Sequence, residues 1–159
     1  MKNNTGRSLF PIHERYMAQA LNEARKARKK GEAPVGAVIV RDGKIIARGH
    51  NERETKQDST LHAEMTAIRK ACKKLGSWRL TDCDIYVTLE PCPMCAGAII
   101  QSRIRNLYIG TSDLKAGAAG SAIDVFRDGT FNHRVDVIWG ILEEQCSAIL
   151  KEFFRELRP

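Results

Sequence analysis

Two short motifs that have to meet in space constrain the fold of this chain more than any other feature. Residues 62–64 (His-Ala-Glu) and 91–95 (Pro-Cys-Pro-Met-Cys) together offer an imidazole, two thiols and one further carboxylate. Zinc in proteins prefers thiolate and imidazole ligands, usually arranged as a tetrahedron. If Pro93 begins a helix, as its fixed φ allows, both sulfurs lie at the first helical turn, where the helix dipole favours the thiolate form. We therefore predict a zinc site formed by His62, Cys92 and Cys95.

The remaining carboxylate, that of Glu64, indicates that the zinc site is catalytic. Three protein ligands leave a fourth position for water, which distinguishes a catalytic zinc site from a structural one. Glu64 is too close to His62 in sequence to be an obvious fourth ligand, but it can reach such a water. Because zinc lowers the pKa of bound water from about 15.7 to about 7, a neighbouring carboxylate can take and return protons at neutral pH. Glu64 is therefore predicted to be the catalytic proton carrier.

The order of the two motifs, H-x-E before P-C-x-x-C, is the signature of zinc-dependent nucleobase deaminases. Two other interpretations stay open. One is a closed structural zinc site with a fourth ligand from His50, Cys72 or Cys83. The other is a redox-active cysteine pair. The first gives no reason for Glu64, and the second leaves both His62 and Glu64 unexplained.

Composition indicates one globular domain. The chain has 159 residues, 43% of them hydrophobic, which suits a single domain over residues 1–159, with residues 1–8 disordered. No apolar run is long enough to span a membrane, and the polar N-terminus lacks the apolar core of a secretory signal. Five cysteines suit a reducing cytosol better than a disulfide framework, so we expect a cytoplasmic protein. The net charge of +7 fits a polyanionic partner, but charge alone is better explained by a solvated lysine-rich surface and becomes informative only together with the zinc site.

The spacing of apolar residues predicts an α/β fold, with helices on both faces of a five-stranded mixed sheet. Helices are predicted over residues 9–30, 62–75, 93–100 and 141–157, with a short one over 121–126, and strands over 34–40, 45–50, 84–89, 105–110 and 134–139. The continuous apolar character of 84–89 indicates a central strand, which places Cys92 at a carboxyl end, where open α/β sheets bind ligands. The long link before 134–139 allows a crossover, so the last two strands are predicted to be parallel.

Further segments of the chain resemble the bacterial tRNA-specific adenosine deaminases, which convert the wobble adenosine of an anticodon to inosine. The resemblance runs from Tyr16 to Arg158 and includes residues 31–38 (GEAPVGAV) and 86–98 (YVTLEPCPMCAGA). The zinc motif alone would fit any cytidine, cytosine, guanine or adenosine deaminase. The segments that separate this family from those relatives are residues 117–121 (GAAGS), 132–135 (NHRV) and 153–155 (FFR).

This resemblance implies a cytidine-deaminase-like three-layer α/β/α sandwich that binds one zinc ion per subunit and forms a homodimer. It also implies that the partner is the anticodon stem-loop of a tRNA, usually an arginine tRNA. His62, Cys92 and Cys95 match the zinc ligands of the family, and Glu64 matches its proton shuttle. The residues that match base-pocket or RNA-facing positions are Val35, Asn51, Leu89, Asp113, Lys115, Asn132, Phe153, Phe154, Arg155 and Arg158.

Plainer roles stay open for some of these residues. Asn51 could be a turn residue that uses its own side-chain hydrogen bonds, and Asp113 could cap the turn that follows it. Phe153 is expected in the core, whereas Phe154 falls on a neighbouring face and is the better candidate for exposure. Two other functions also stay open. One is deamination of a free base or nucleoside, and the other is a non-catalytic zinc module that binds RNA.

Overall fold

Helices and strands alternate along the chain as the apolar spacing predicts. The computed structural model describes residues 10–129 and 131–158, so the disorder predicted for residues 1–8 lies outside the described residues. The helices are α1 (Pro11–Lys29), α2 (Arg53–Lys56), α3 (Ala63–Leu75), α4 (Pro93–Gln101) and α5 (Glu143–Leu157). The strands are β1 (Gly36–Arg41), β2 (Lys44–His50), β3 (Cys83–Leu89), β4 (Asn106–Thr111) and β5 (Asp136–Trp139).

The five strands form one mixed sheet in the order β2-β1-β3-β4-β5. β1 is antiparallel to both β2 and β3, whereas β3, β4 and β5 are parallel to one another. Asp42 and Gly43, which connect β1 to β2, have φ values of 50° and 74°, and two positive φ values are what a tight hairpin turn requires. The predicted hairpin and the predicted parallel pairing of the last two strands are both confirmed.

Side chains on the two faces of the sheet form two separate cores. Ile85 and Val87 of β3 belong to the core that is covered by α3 and α4. Tyr86, between them, points to the opposite core, which is covered by α1 and α5. β3 is therefore buried on both faces, and the predicted α/β/α sandwich around a five-stranded mixed sheet is confirmed.

The strand directions bring the two sequence motifs to one edge of the sheet. Because β1 runs against β3, the start of β1 at Gly36 lies beside the end of β3, where its backbone N–H donates to Thr88 Oγ1 at 3.1 Å. Gly36 pairs with His50 at the end of β2, and Leu89 pairs with Thr111 at the end of β4. The segments that follow β2, β3 and β4 therefore leave the sheet at this edge, which we call the site edge.

Two loops at the site edge differ from the prediction. Residues 121–126 do not form a helix: Ala119 pairs with Asp124 in an isolated bridge, and Val125 N–H donates to Ala118 O at 2.9 Å. Conversely, the loop after β2 contains the short helix α2, which the sequence analysis did not predict. None of the helices within residues 10–129 and 131–158 has the length and apolar character that crossing a membrane requires.

Candidate active site

The three predicted zinc ligands meet at the starts of two helices. His62 is the N-cap of α3, Cys92 is the N-cap of α4, and Cys95 lies in the first turn of α4, which begins at Pro93 as predicted. His62 Nδ1 is 3.6 Å from Cys92 Sγ and 3.5 Å from Cys95 Sγ. A tetrahedral zinc ion with bonds of about 2.05 Å to nitrogen and 2.3 Å to sulfur requires a nitrogen–sulfur separation of about 3.6 Å. The three side chains therefore fit a zinc ion.

The two thiols differ in acidity. A hydrogen bond from the Cys95 thiol, reinforced by His62, lowers the pKa of Cys92 to about 4. The same contact with Cys92, together with burial, raises the pKa of Cys95 above its ordinary value. Cys92 therefore loses its proton first and offers one thiolate at neutral pH. Zinc binds thiolates and neutral imidazole, so the Cys92 thiolate favours metal binding, whereas the same contact raises the pKa of His62, whose proton a metal would have to displace.

The closed zinc site does not fit the structure, and the redox pair explains less of it than a metal site does. In the described part of the chain, no fourth histidine, cysteine or carboxylate completes the metal-binding group. His50 is held elsewhere, because its Nδ1 contacts Glu23 at 2.9 Å. Cys83 begins β3, at the edge of the sheet opposite to the site edge, and Cys72 donates to Trp78 O. All five cysteines are free thiols, and a redox pair would leave the contact of His62 with both sulfurs unexplained.

Glu64 adjoins the metal-binding group from the first turn of α3. Its side chain is only 3% exposed, and burial raises the pKa of Glu64 to about 7. The carboxyl group lies within hydrogen-bonding reach of the Cys95 thiol. A carboxyl group with a pKa near neutrality can both accept and donate a proton at physiological pH. Its placement agrees with the predicted role as proton carrier.

Close packing of α3 on β2 holds this first turn in place. At Gly49 of β2 a side chain would collide with the backbone carbonyl of Ala63, which lies between His62 and Glu64 in sequence. A Cβ atom at Gly49 would also lie 2.8 Å from the backbone nitrogen of Ala67. The glycine therefore allows the sheet to approach the helix that carries both residues.

Three of the predicted base-pocket residues lie together at the site edge. Val35 and Leu89 are half-buried beside the start of β1 and at the end of β3. Asn51 follows β2, and its backbone N–H donates to Val35 O at 3.2 Å. The Asn51 side chain accepts from Arg53 N–H at 3.1 Å and donates to Ala33 O at 3.4 Å. Asn51 thus has the plainer turn role, and its contact with substrate stays a prediction.

Asp113 and Lys115 lie in the loop that follows β4. Asp113 Oδ1 accepts from the backbone N–H groups of Lys115 at 3.1 Å and Ala116 at 3.2 Å, so this side chain caps the turn. Lys115 is exposed. The loop therefore presents a cation to solvent close to the end of β4, and its contact with RNA stays a prediction.

The remaining predicted RNA-facing residues are on the surface. Asn132 is exposed in the loop before β5. In α5, Phe153 is 8% exposed and Phe154 is 48% exposed, as predicted, and Arg155 and Arg158 are exposed as well.

Ion pairs connect the end of α5 to the end of α1. Arg28, in the last turn of α1, pairs with Glu152 at 2.9 Å and with Glu156 at 2.8 Å. The chain passes from the end of α1 to the start of β1 at the site edge. The C-terminal half of α5, with its arginines, therefore lies beside the part of the chain that leads to the site.

Two buried glutamates hold the loops of the site edge, although the sequence analysis did not select them. Glu32 is 1% exposed and accepts from the backbone N–H groups of Glu54 and Thr55 in α2. Glu90 is 2% exposed and accepts from backbone groups of the loop after β4. A sequence signal exists for both, because each is the sole charged residue in an otherwise uncharged segment, 31–40 for Glu32 and 86–98 for Glu90. Buried carboxylates need such hydrogen-bond donors.

Comparison with known proteins places this geometry among deaminases. The family model of the MafB19-like deaminases matches residues 12–158. A tRNA-specific adenosine deaminase of Bacillus subtilis (strain 168) is 53% identical over 145 residues, which cover 91% of this chain and 90% of that protein.

Solved structures of deaminases have the same fold as this chain. One structure comes from a study of A-to-I editing by tRNA:A34 deaminases at the wobble position of transfer RNA. It has a TM-score of 0.83 and 48% identity, and the match covers 86% of this chain and 99% of the solved chain. A guanine deaminase from Nitrosomonas europaea has a TM-score of 0.78 and 26% identity, and covers 88% of this chain and 83% of its own. The fold is thus shared by enzymes that act on RNA and on free bases.

Proposed function

This chain belongs to the MafB19-like deaminases and, among them, to the tRNA-specific adenosine deaminases, and on that basis we propose that it hydrolyses adenosine to inosine at the wobble position of a tRNA anticodon. The observation that carries the proposal is the arrangement of His62, Cys92 and Cys95 with the buried carboxyl group of Glu64 beside them. Three metal ligands and an adjacent proton carrier are what hydrolytic deamination requires.

The chain's own residues supply the proton transfers. His62, Cys92 and Cys95 would hold one zinc ion, which when bound makes water acidic enough to attack at neutral pH. Glu64 accepts a proton from the attacking water and donates it to the purine ring. It then carries the second proton to the departing amino group, which leaves as ammonia. The pKa of Glu64, raised by burial to about 7, suits both directions of transfer.

Recognition of RNA uses the surface around this centre. The wobble base already lies in a loop, so turning it out of the stack costs only a few kcal/mol. Val35 and Leu89 would line the pocket for the base, and Asn51 would bond its sugar or its edge. The residues that would meet the RNA are the half-buried Asp113 and the exposed Lys115, Asn132, Phe154, Arg155 and Arg158. The net charge of +7 supports a polyanionic partner.

We further propose a homodimer that acts in the cytoplasm on the anticodon stem-loop of an arginine tRNA. The family resemblance supports the dimer and the choice of tRNA. Five free cysteines support a reducing compartment.

The test is to incubate the purified protein with tRNA and to sequence the product for inosine. Glu64→Ala is expected to keep zinc and RNA binding but to lose at least about 100-fold in turnover, since general acid–base catalysis contributes that much or more. Glu144→Ala, which alters an exposed glutamate in α5, is the matched control and should retain full turnover. Undiminished turnover in Glu64→Ala would contradict the mechanism.

The same experiment separates this function from the two that the sequence left open. Ammonia release is measured from tRNA, guanine, cytidine and free adenosine. Release from guanine with no inosine in tRNA would point to a free-base deaminase, as in the structural relative from Nitrosomonas europaea. RNA binding with no release from any substrate would point to a non-catalytic zinc module.

A further inference from the structure

The loop after β4 is wrapped around the side chain of Glu90. The Glu90 carboxylate accepts from the backbone N–H groups of Asp113 at 2.9 Å, Ala119 at 3.0 Å and Ser121 at 3.1 Å. These three donors span residues 113–121, which we call the substrate loop. Glu90 thus contacts both ends of this loop with one buried side chain.

Backbone hydrogen bonds beside the Glu90 side chain also hold the substrate loop. Glu90 N–H donates to Thr111 O at 2.9 Å, and Ala118 N–H donates to Pro91 O at 2.8 Å. Glu90 and Pro91 directly precede the predicted metal ligand Cys92. The substrate loop is therefore anchored on the two residues that lead into the metal-binding helix.

Gly117 shows how closely the loop approaches this carboxylate. A Cβ atom at Gly117 would collide with the Glu90 carboxylate and with the backbone carbonyl of Asp113. Only a residue without a side chain lets the loop close on Glu90 here. This contact explains the glycine at position 117, which no part of the proposed chemistry uses.

The hydrogen bonds are of a strong and directional kind. The partners of Glu90 in the described residues are backbone N–H groups, and bonds from N–H to an ionised carboxylate are shorter and stronger than neutral ones. From Glu90 the chain of contacts continues to Lys115, because Asp113 N–H donates to Glu90 and Asp113 Oδ1 accepts from Lys115 N–H. The position of the exposed lysine is thus two hydrogen bonds away from Glu90.

We propose that Glu90 is a positioning residue that fixes the substrate loop, and with it Lys115, relative to the metal-binding helix, so that the loop is already in place when RNA binds. The inference rests on the proposed function, since it assigns Lys115 to RNA. Glu90 contacts neither substrate nor metal in this scheme. It acts through the substrate loop.

Glu90→Gln tests this with little change in shape. One carboxylate oxygen becomes an NH2 group, which cannot accept a hydrogen bond, so either Asp113 or the pair Ala119 and Ser121 loses its acceptor. KM for an anticodon stem-loop should rise about tenfold, the lower end of the effect of one charged hydrogen bond. The value of kcat should change less than about threefold, because weaker loop binding affects bound substrate and transition state alike. Zinc content should stay at that of the wild type.

A double-mutant cycle with Lys115→Ala decides whether the effect passes through the loop. If Glu90 positions Lys115, Glu90→Gln should raise KM far less in the Lys115→Ala background than in the wild type. Gly117→Ala disturbs the same contact from the loop side with Glu90 intact, and it should show the same dependence on Lys115. This second variant keeps the test valid if Glu90→Gln fails to fold.

Glu32→Gln is the matched control, because Glu32 is equally buried and accepts from backbone N–H groups of a different loop. Its effect on KM should be the same with or without Lys115. Additive effects of both Glu90→Gln and Gly117→Ala with Lys115→Ala would overturn the proposal, as would loss of zinc in Glu90→Gln. Absence of tRNA deamination in the wild type would instead overturn the proposed function, so the two failures are distinguishable.

Discussion

Gly49→Ala is expected to damage the active site without touching any residue that takes part in the chemistry. The new methyl group would lie 2.8 Å from the backbone nitrogen of Ala67 and closer still to the carbonyl of Ala63. Ordinary van der Waals contact begins at 3.4 Å, so α3 must recede from β2 by at least 0.6 Å. Both atoms belong to backbone in the first turns of the helix, and neither can rotate away.

The size of the effect follows from what this turn carries. His62 and Glu64 flank Ala63, so a shift of the turn moves a metal ligand and the proton carrier together. A misplacement of about 1 Å costs about 100-fold in rate, and overpacking of a core contact costs about 1–3 kcal/mol in stability. We therefore expect kcat to fall by about 100-fold and the free energy of unfolding to fall by about 2 kcal/mol.

The assay is single-turnover deamination of an anticodon stem-loop, with urea unfolding and zinc content measured on the same preparation. Gly97→Ala is the matched control: Gly97 lies in α4, the helix of Cys95, and no atom lies within 4 Å of the position of its Cβ. It should retain activity and stability. Wild-type turnover in Gly49→Ala would refute the packing argument, because it would mean that the first turn of α3 is not held by contact with β2.

Three further predictions concern the metal, the RNA surface and the buried thiols. Cys92→Ser should lose zinc in metal analysis. Its control, Cys72→Ser, alters a half-buried thiol away from the metal-binding group and should keep one zinc per chain. Equal zinc content in the two variants would contradict the ligand assignment. RNA affinity should fall with salt, and Lys115→Ala should reduce the slope by about 0.7 log units per log unit of salt, the value for one single-strand phosphate contact. Lys44→Ala, at the hairpin on the opposite edge of the sheet, should leave the slope unchanged. Burial raises the pKa of Cys146 from 9.0 to about 12, so the unfolded state loses this proton first and stability should decline as pH rises from about 9 towards 12. Between pH 8 and pH 10, the decline measured by urea unfolding should be smaller by about 1 kcal/mol in Cys146→Ala than in the wild type.

The sequence by itself determined the parts of this protein that depend on neighbours along the chain. Pro93 begins α4 because its φ is already helical, and this places Cys92 and Cys95 at one helix start. Asp42-Gly43 closes the β1–β2 hairpin because both residues accept positive φ. Apolar spacing identified the five strands and the four long helices. Each half of the candidate metal-binding group could be selected from its local motif, whereas the fold brings His62 to Cys92 and Cys95, which lie 30 and 33 residues later.

Only the tertiary structure decided the shape of the loops around the site. Residues 121–126 were predicted as a helix, but they fold back on residues 118–119 through the Ala119–Asp124 bridge, and the N–H groups of Ala119 and Ser121 are bound by Glu90, which lies 29 and 31 residues earlier in the chain. Glu32 likewise accepts from the first turn of α2, which begins more than 20 residues later. A buried carboxylate takes its donors from whatever backbone the fold brings to it. Propensities within a loop therefore do not determine its conformation when its hydrogen-bond acceptor lies in a distant segment of the chain.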